Sequence, residues 1–150
     1  MDDRLNIVCP TCETINRVVA SRLSQAVCGN CKKMLFTGHP VELRSASFDK
    51  HIGRNDIPVV VDFWADWCGP CKAMAPQFER AAAELEPRMR LAKLDTDAHP
   101  DIAARYQIRS IPTLIVFEHG KETARQSGAR DARALIGWLA PMANARQAAD

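Results

Sequence analysis

Six cysteines constrain this chain more than any other feature, because they fall as three Cys-x-x-Cys pairs: Cys9/Cys12, Cys28/Cys31 and Cys68/Cys71. Two sulfurs at that spacing can share one metal ion or close on each other as a disulfide. The start Met1-Asp2-Asp3-Arg4 is acidic, with no apolar run behind it. No secretory signal is read there, and the cytoplasm is the expected compartment. In a reducing compartment such pairs seldom act as structural staples; they bind metal or do redox chemistry.

Size and charge narrow the choice. The 150 residues suit one ordinary domain, or one compact domain carrying a small appendage. With 20 Lys+Arg against 18 Asp+Glu the formal charge is +2, which excludes a nucleic-acid binder relying on bulk charge. The longest uncharged stretch, Ala134–Ala145, contains Gly137 and Pro141 and is too short to span a bilayer. No membrane partner is expected.

Texture changes near residue 40. Residues 1–36 hold four cysteines and only short apolar stretches, too little to fold without a metal or cross-links. Residues 37–45 read as a linker, with a turn at Thr37-Gly38-His39-Pro40, followed by a first strand. The third segment is 46–150. In it Pro58–Ala65 reads as a strand buried on both faces, and Pro70 to about Glu86 as a helix with Met74, Phe78, Ala82 and Leu85 on one face. Pro76 should kink that helix. Leu91–Asp95 and Thr113–Phe117 read as strands, Pro100–Tyr106 as a short helix, and Thr123–Ser127 as a hairpin partner after His119-Gly120. A last helix begins at an Asp131 cap and carries Leu135, Trp138, Leu139 and Met142 on one face. The order indicates an α/β sheet, parallel at first and antiparallel at one edge.

Trp67-Cys68-Gly69-Pro70-Cys71 joins the buried strand to the helix. A thiol in the first turn of a helix meets unpaired backbone N–H groups and the positive dipole end, which favour the thiolate. Gly69 permits the tight entry, and Pro70 costs no needed N–H. Cys68 is then the expected nucleophile and Cys71 the resolving thiol. A zinc half-site or two inert thiols is the alternative for any lone pair, but the strand-to-helix junction favours redox chemistry.

The first two pairs form Cys-x2-Cys-x15-Cys-x2-Cys, a spacing that presents four sulfurs tetrahedrally to zinc. One structural zinc ion on Cys9, Cys12, Cys28 and Cys31 is the leading reading, with iron or bare dithiols as alternatives. His39, His51, His99 and His119 lack ligand spacing and read as loop or surface residues.

Three more residues read ambiguously alone. Asp62 lies within Val59–Trp64, where burial would raise its pKa. Lys93 reads as a solvated edge charge, and Pro112 as an ordinary trans proline.

The run Val61-Asp62-Phe63-Trp64-Ala65-Asp66-Trp67-Cys68-Gly69-Pro70-Cys71-Lys72, with Ser110-Ile111-Pro112-Thr113, Lys93, Gly120 and Gly128, closely resembles the thioredoxin family over about residues 41–146. With the N-terminal cysteines included, the chain resembles the zinc-containing second thioredoxins of bacteria over nearly its whole length. That resemblance implies a thioredoxin fold, a mixed sheet flanked by helices, preceded by a small zinc-ribbon module. It implies a protein-disulfide reductase recharged by an NADPH-dependent thioredoxin reductase, acting on disulfide-containing clients as a monomer without an organic cofactor. It makes Asp62 the buried proton acceptor for Cys71, places Lys93 near it, and makes Ile111-Pro112 a cis-proline substrate-binding loop. Trp67 becomes a docking surface, Trp64 a core residue, and Gly69-Pro70 tunes the pair toward reduction rather than oxidation. It also implies that the zinc site is structural or responsive to oxidative stress.

Overall fold

The computed structural model describes residues 3–148. In chain order the elements are β1 Arg4–Val8, β2 Ile15–Val19, a short 3-10 helix Ala20–Gln25, β3 Val41–Glu42, α1 Phe48–Arg54, β4 Val59–Trp64, α2 Gly69–Leu85, β5 Arg90–Asp95, α3 Pro100–Arg105, β6 Thr113–Glu118, β7 Lys121–Ser127 and α4 Ala132–Ala148. From β4 onward every expected element is present with its ends shifted by two residues or fewer, and α2 runs uninterrupted through Pro76. Asp131 caps α4 as expected, its Oδ1 accepting the Ala134 N–H at 2.9 Å.

The central sheet has the order β3-β5-β4-β6-β7. Pairing is parallel for β3/β5 and β5/β4, and antiparallel for β4/β6 and β6/β7. The run Val59-Val60-Val61 is wholly buried because β4 is central and both of its faces are covered. On one face Val60, Leu91, Leu114 and Val116 pack against Met74, Phe78 and Leu85 of α2 and Leu135 and Leu139 of α4. On the other, Val61, Phe63, Leu94 and Phe117 pack against Phe48 and Ile52 of α1 and Ile102 of α3. Tyr106 and Phe48 each meet Phe117 edge-on, with centroids 5.2 and 5.9 Å apart.

The N-terminal module is a two-stranded antiparallel hairpin, β1/β2, followed by a second turn closed by a Val27/Met34 bridge. It does not stand apart. Ile7, Leu23, Leu35 and Phe36 share a buried cluster with Ile57 of the following domain. Asn55 Oδ1 accepts the Val8 N–H at 2.8 Å, and Asp56 both accepts from and donates to the Asn6 backbone. Arg90 at the start of β5 is 1% exposed. Its guanidinium donates to the carbonyls of Leu35 (2.9 Å) and Val8 (3.5 Å) and lies 4.3 Å from the Phe36 ring centroid. Glu86, with a side chain also 1% exposed, faces Arg90 at 3.4 Å.

Two readings are corrected. His51 is not at the surface: it is 2% exposed on the inward face of α1, between Phe48 and Ile52. Burial, reinforced by the nearby Arg90, pushes its pKa down to about 4, so the ring is neutral at pH 7. His99 is half-buried, its Nδ1 accepting the Ser45 N–H at 3.3 Å, whereas His39 and His119 are exposed. Lys93 is not an edge charge either, since β5 lies between β3 and β4.

Candidate active site and four-cysteine centre

Cys68 occupies the N-cap of α2, immediately beyond the carboxyl end of β4. Its Sγ accepts the Cys71 N–H at 3.1 Å, so one orphan donor from the first turn of a 17-residue helix points at the sulfur. Cys68 and Cys71 are disulfide-bonded, with Cα atoms 5.2 Å apart. Pro70 sits in the first turn, where no N–H is needed. Both cysteines are shielded, at 3% and 2% exposure, while Trp67 beside them is 71% exposed.

Across from Cys68 lies the segment before β6. The Ile111–Pro112 bond is cis, against the trans reading of the residues alone and in accord with the resemblance. The Ile111 carbonyl oxygen lies 3.8 Å from Cys68 Sγ. Pro112 O accepts the Gly128 N–H, and Thr113 Oγ1 donates to Ser110 O, which fix this loop to β7 and to itself. An open groove of about 510 Å³ runs between the two sides, lined by Trp67, Cys68, Pro70, Ala103, Ile108 and Ile111 among others. Its walls are chiefly apolar, suited to an extended peptide segment presented to the Cys68 sulfur.

Asp62 is 1% exposed, and neither of its oxygens has a hydrogen-bond partner among the described residues. It shares the α2-facing side of β4 with Val60, which packs on Met74, one turn beyond Cys71. Burial pushes its pKa up to about 7, and Lys93 pulls against that rise. Lys93 is register-paired with Asp62, but its Nζ lies 4.5 Å from the Trp64 ring centroid. Trp64, expected in the core, is half-buried and serves as the platform for this ammonium. Asp66 is exposed, 3.5 Å from Lys72 Nζ.

The other four cysteines converge. Their sulfurs all lie within 4.8 Å of one another, with Cys9–Cys31 at 3.7 Å and Cys12–Cys28 at 3.6 Å. Four sulfurs about 2.3 Å from a central ion stand about 3.8 Å apart, so the set fits tetrahedral zinc. Each pair forms the same knuckle: Glu13 N–H returns to Cys9 O, and Lys32 N–H to Cys28 O. Glu13 and Lys32, each next after its pair, take left-handed φ values of 67° and 68°. The Thr11 and Asn30 N–H groups each point at the first sulfur of their pair, at 3.4 Å. Side-chain hydrogen bonding with Thr14 and Asn30 helps hold the Cys12 pKa down at about 5. Backbone donation favours the Cys28 thiolate, while burial and the neighbouring sulfurs push Cys31 up to about 11 despite donation at Lys33. Four crowded thiols resist full ionisation alone, and a divalent ion removes that repulsion.

Three contributors escaped the sequence reading: Asn55 and Arg90, which bind the two modules, and Glu42, which pairs in register with Lys93. A charged Arg90 opening a buried strand, four residues after a carboxylate at Glu86, was the one available signal.

Comparison with known proteins agrees with this geometry. The family model described as Thioredoxin matches residues 39–141, and one described as Thioredoxin 2, N-terminal, matches residues 8–33. Thioredoxin C-3 of Corynebacterium nephridii is 42% identical over 134 residues, covering 89% of this chain and 92% of that protein. The bifunctional thioredoxin reductase/thioredoxin of Mycobacterium leprae is 43% identical over 99 residues, 66% of this chain and 22% of that protein. A solved structure of a mutant thioredoxin from Halobacterium salinarum superposes with a TM-score of 0.65 at 30% identity, covering 72% of this chain and 94% of that one. With a strand-to-helix Cys-Gly-Pro-Cys pair, a facing proline loop and a preceding four-cysteine ribbon, the chain belongs to the thioredoxin family and is a protein-disulfide reductase.

Proposed function

We propose that Cys68 attacks and Cys71 resolves. The Cys68 thiolate attacks one sulfur of a client disulfide; a mixed disulfide forms and the other client sulfur leaves as a thiolate, which takes up a proton. The Asp62 carboxylate accepts the Cys71 proton, and the Cys71 thiolate attacks Cys68 Sγ. The Cys68–Cys71 disulfide forms and the client's second thiol is released, so two electrons pass from this chain to the client. The observation that carries this assignment is the Cys71 N–H aimed at Cys68 Sγ from the first turn of α2. Trp67 and Ile111 flank the entering segment, Pro112 sets the Ile111 backbone through its cis bond, and Gly69 and Pro70 shape the turn between the sulfurs.

A thioredoxin reductase using NADPH is the electron source that completes the cycle; the Mycobacterium leprae relative, named for both activities in one chain, supports this pairing. The machinery lies within a single chain, which suits a monomer. No helix among the described residues is long and apolar enough to cross a membrane. A reducing cytoplasm is the compartment in which this direction of exchange is sustained.

The role of Asp62 makes resolution pH-dependent. The carboxylate forms as pH rises through about 7, so mixed-disulfide resolution should accelerate over that limb. Asp62→Asn should remove the limb and slow resolution at pH 7.5 by roughly 10- to 100-fold, read by stopped-flow quenching. Because the folded pKa lies above the unfolded one, the native state holds the extra proton between about pH 4 and 7 and loses stability as pH rises through that window. Asp62→Asn should therefore raise Tm at pH 8 more than at pH 4; an equal change at both would contradict the assignment.

For the four-cysteine centre we infer one zinc ion held by Cys9, Cys12, Cys28 and Cys31. Bound there, zinc supplies a structural cross-link and keeps the sulfurs ionised. Elemental analysis should find about one zinc per chain, and Cys9→Ser with Cys28→Ser should abolish it; full retention of zinc would sink the assignment. The division that suits this chemistry is 1–36 for the metal module, 37–45 for the linker and first strand, and 46–150 for the catalytic domain.

A further inference from the structure

A row of charges crosses the sheet beneath the active site, and one member has no part in the chemistry above. Register places Glu42 of β3 beside Lys93 of β5, and Lys93 beside Asp62 of β4. Residues paired laterally in a sheet project to the same face, so the three groups stand in line with the lysine in the middle. Two strand spacings put the outer carboxyl groups about 10 Å apart.

The position of the ammonium makes this row unusual. A buried carboxyl next to a lysine would ordinarily be fixed as a carboxylate by direct pairing. Here Lys93 Nζ rests over the Trp64 ring at 4.5 Å, and both Asp62 oxygens lack a partner among the described residues. Lys93 therefore acts on Asp62 through space, and any second charge at similar range weighs against it. Glu42 is that charge. The other elements add no charge: across the β4/β6 pairing Asp62 faces Leu114, and α2, which packs on this side of the sheet through Met74, buries no charged residue, Cys71 being its one buried titratable group. Charges acting on Glu42 itself are Lys93, Asp95 and His99.

We propose that Glu42 is a positioning residue for the reductase reaction: its charge offsets that of Lys93 at Asp62, leaving Asp62 free to take up and release a proton. The proposal rests on the reading of Asp62 as the Cys71 proton acceptor. Glu42 lies on a two-residue edge strand and is open to solvent on one side, so it acts partially. Two charges about 10 Å apart through an effective dielectric near 50 correspond to a shift of about half a pH unit.

The test is a carboxyl 13C NMR titration of Asp62 in the reduced protein, run for the native chain and Glu42→Gln. The pH profile of mixed-disulfide resolution is recorded for both and for Asp62→Asn. Glu42→Gln should lower the Asp62 midpoint and the kinetic midpoint by about half a pH unit, with Tm unchanged. An unmoved midpoint in Glu42→Gln, while Asp62→Asn removes the limb, overturns the role of Glu42. So does a change in Tm without a change in midpoint, which would mark a merely structural residue. If Asp62→Asn leaves the profile as it was, the reading of Asp62 fails instead, and the proposal falls with it.

Discussion

Cys68→Ser is expected to abolish NADPH-coupled reduction of a protein disulfide, by roughly a thousandfold or more, while leaving the protein folded. The hydroxyl is nearly isosteric, but at neutral pH it neither ionises nor exchanges with a disulfide. Nothing else at the groove replaces it. Among the remaining cysteines, Cys71 does not line the groove, and the other four belong to the N-terminal cluster. The N–H groups of α2 stabilise negative charge only where a sulfur stands at the N-cap. The paired variant Cys9→Ser/Cys28→Ser gives the contrast, since its turnover per folded molecule should stay within a few-fold of the native chain. Comparable losses in both variants would mean that the central pair is not the reacting one.

The second large effect concerns stability. Arg90→Leu should cost about 3–5 kcal/mol, because it leaves Glu86 with an acid group buried and deprived of its cation. Burial already pushes the Glu86 pKa up, opposed first by Arg90, so removing the guanidinium favours its neutral form. The change also strips donors from the Val8 and Leu35 carbonyls, which flank the two cysteine knuckles. For a chain of this size the loss corresponds to a fall in Tm of roughly 10–20 °C. Chelation of zinc should then be faster as well. The double variant Arg90→Leu/Glu86→Gln should recover part of the loss, since a neutral amide is cheaper to bury. A Tm within about 3 °C of native for Arg90→Leu would show that the ion pair contributes little to holding the modules together.

Arg90 also shows where a linear reading stops. The strands and helices from β4 onward were legible because Val59–Val61 and the Met74/Phe78/Ala82/Leu85 spacing state their own periodicity. The two cysteine sets were legible because three-residue spacing has few chemical uses. By contrast, α1 spans only seven residues, and without recognising it His51 could not be aligned with Phe48 and Ile52 on one buried face. The β1/β2 hairpin was equally hidden, its strands lacking a clean alternation. Docking of the module depends on partners 47 to 82 residues apart, Val8 with Asn55 and with Arg90, which no local pattern encodes. The same holds for the Glu42-Lys93-Asp62 row, created by strand order rather than by any one strand. Motif spacing therefore located the reacting atoms, and topology supplied the groups that surround them.

The most direct measurement of the central claim is mass spectrometry of Cys71→Ser after incubation with disulfide-bonded protein. Without a resolving thiol the first exchange should stop at the mixed disulfide, giving a stable adduct joined through Cys68 and released by dithiothreitol. No adduct, or one joined through Cys9, Cys12, Cys28 or Cys31 in its place, would contradict the account.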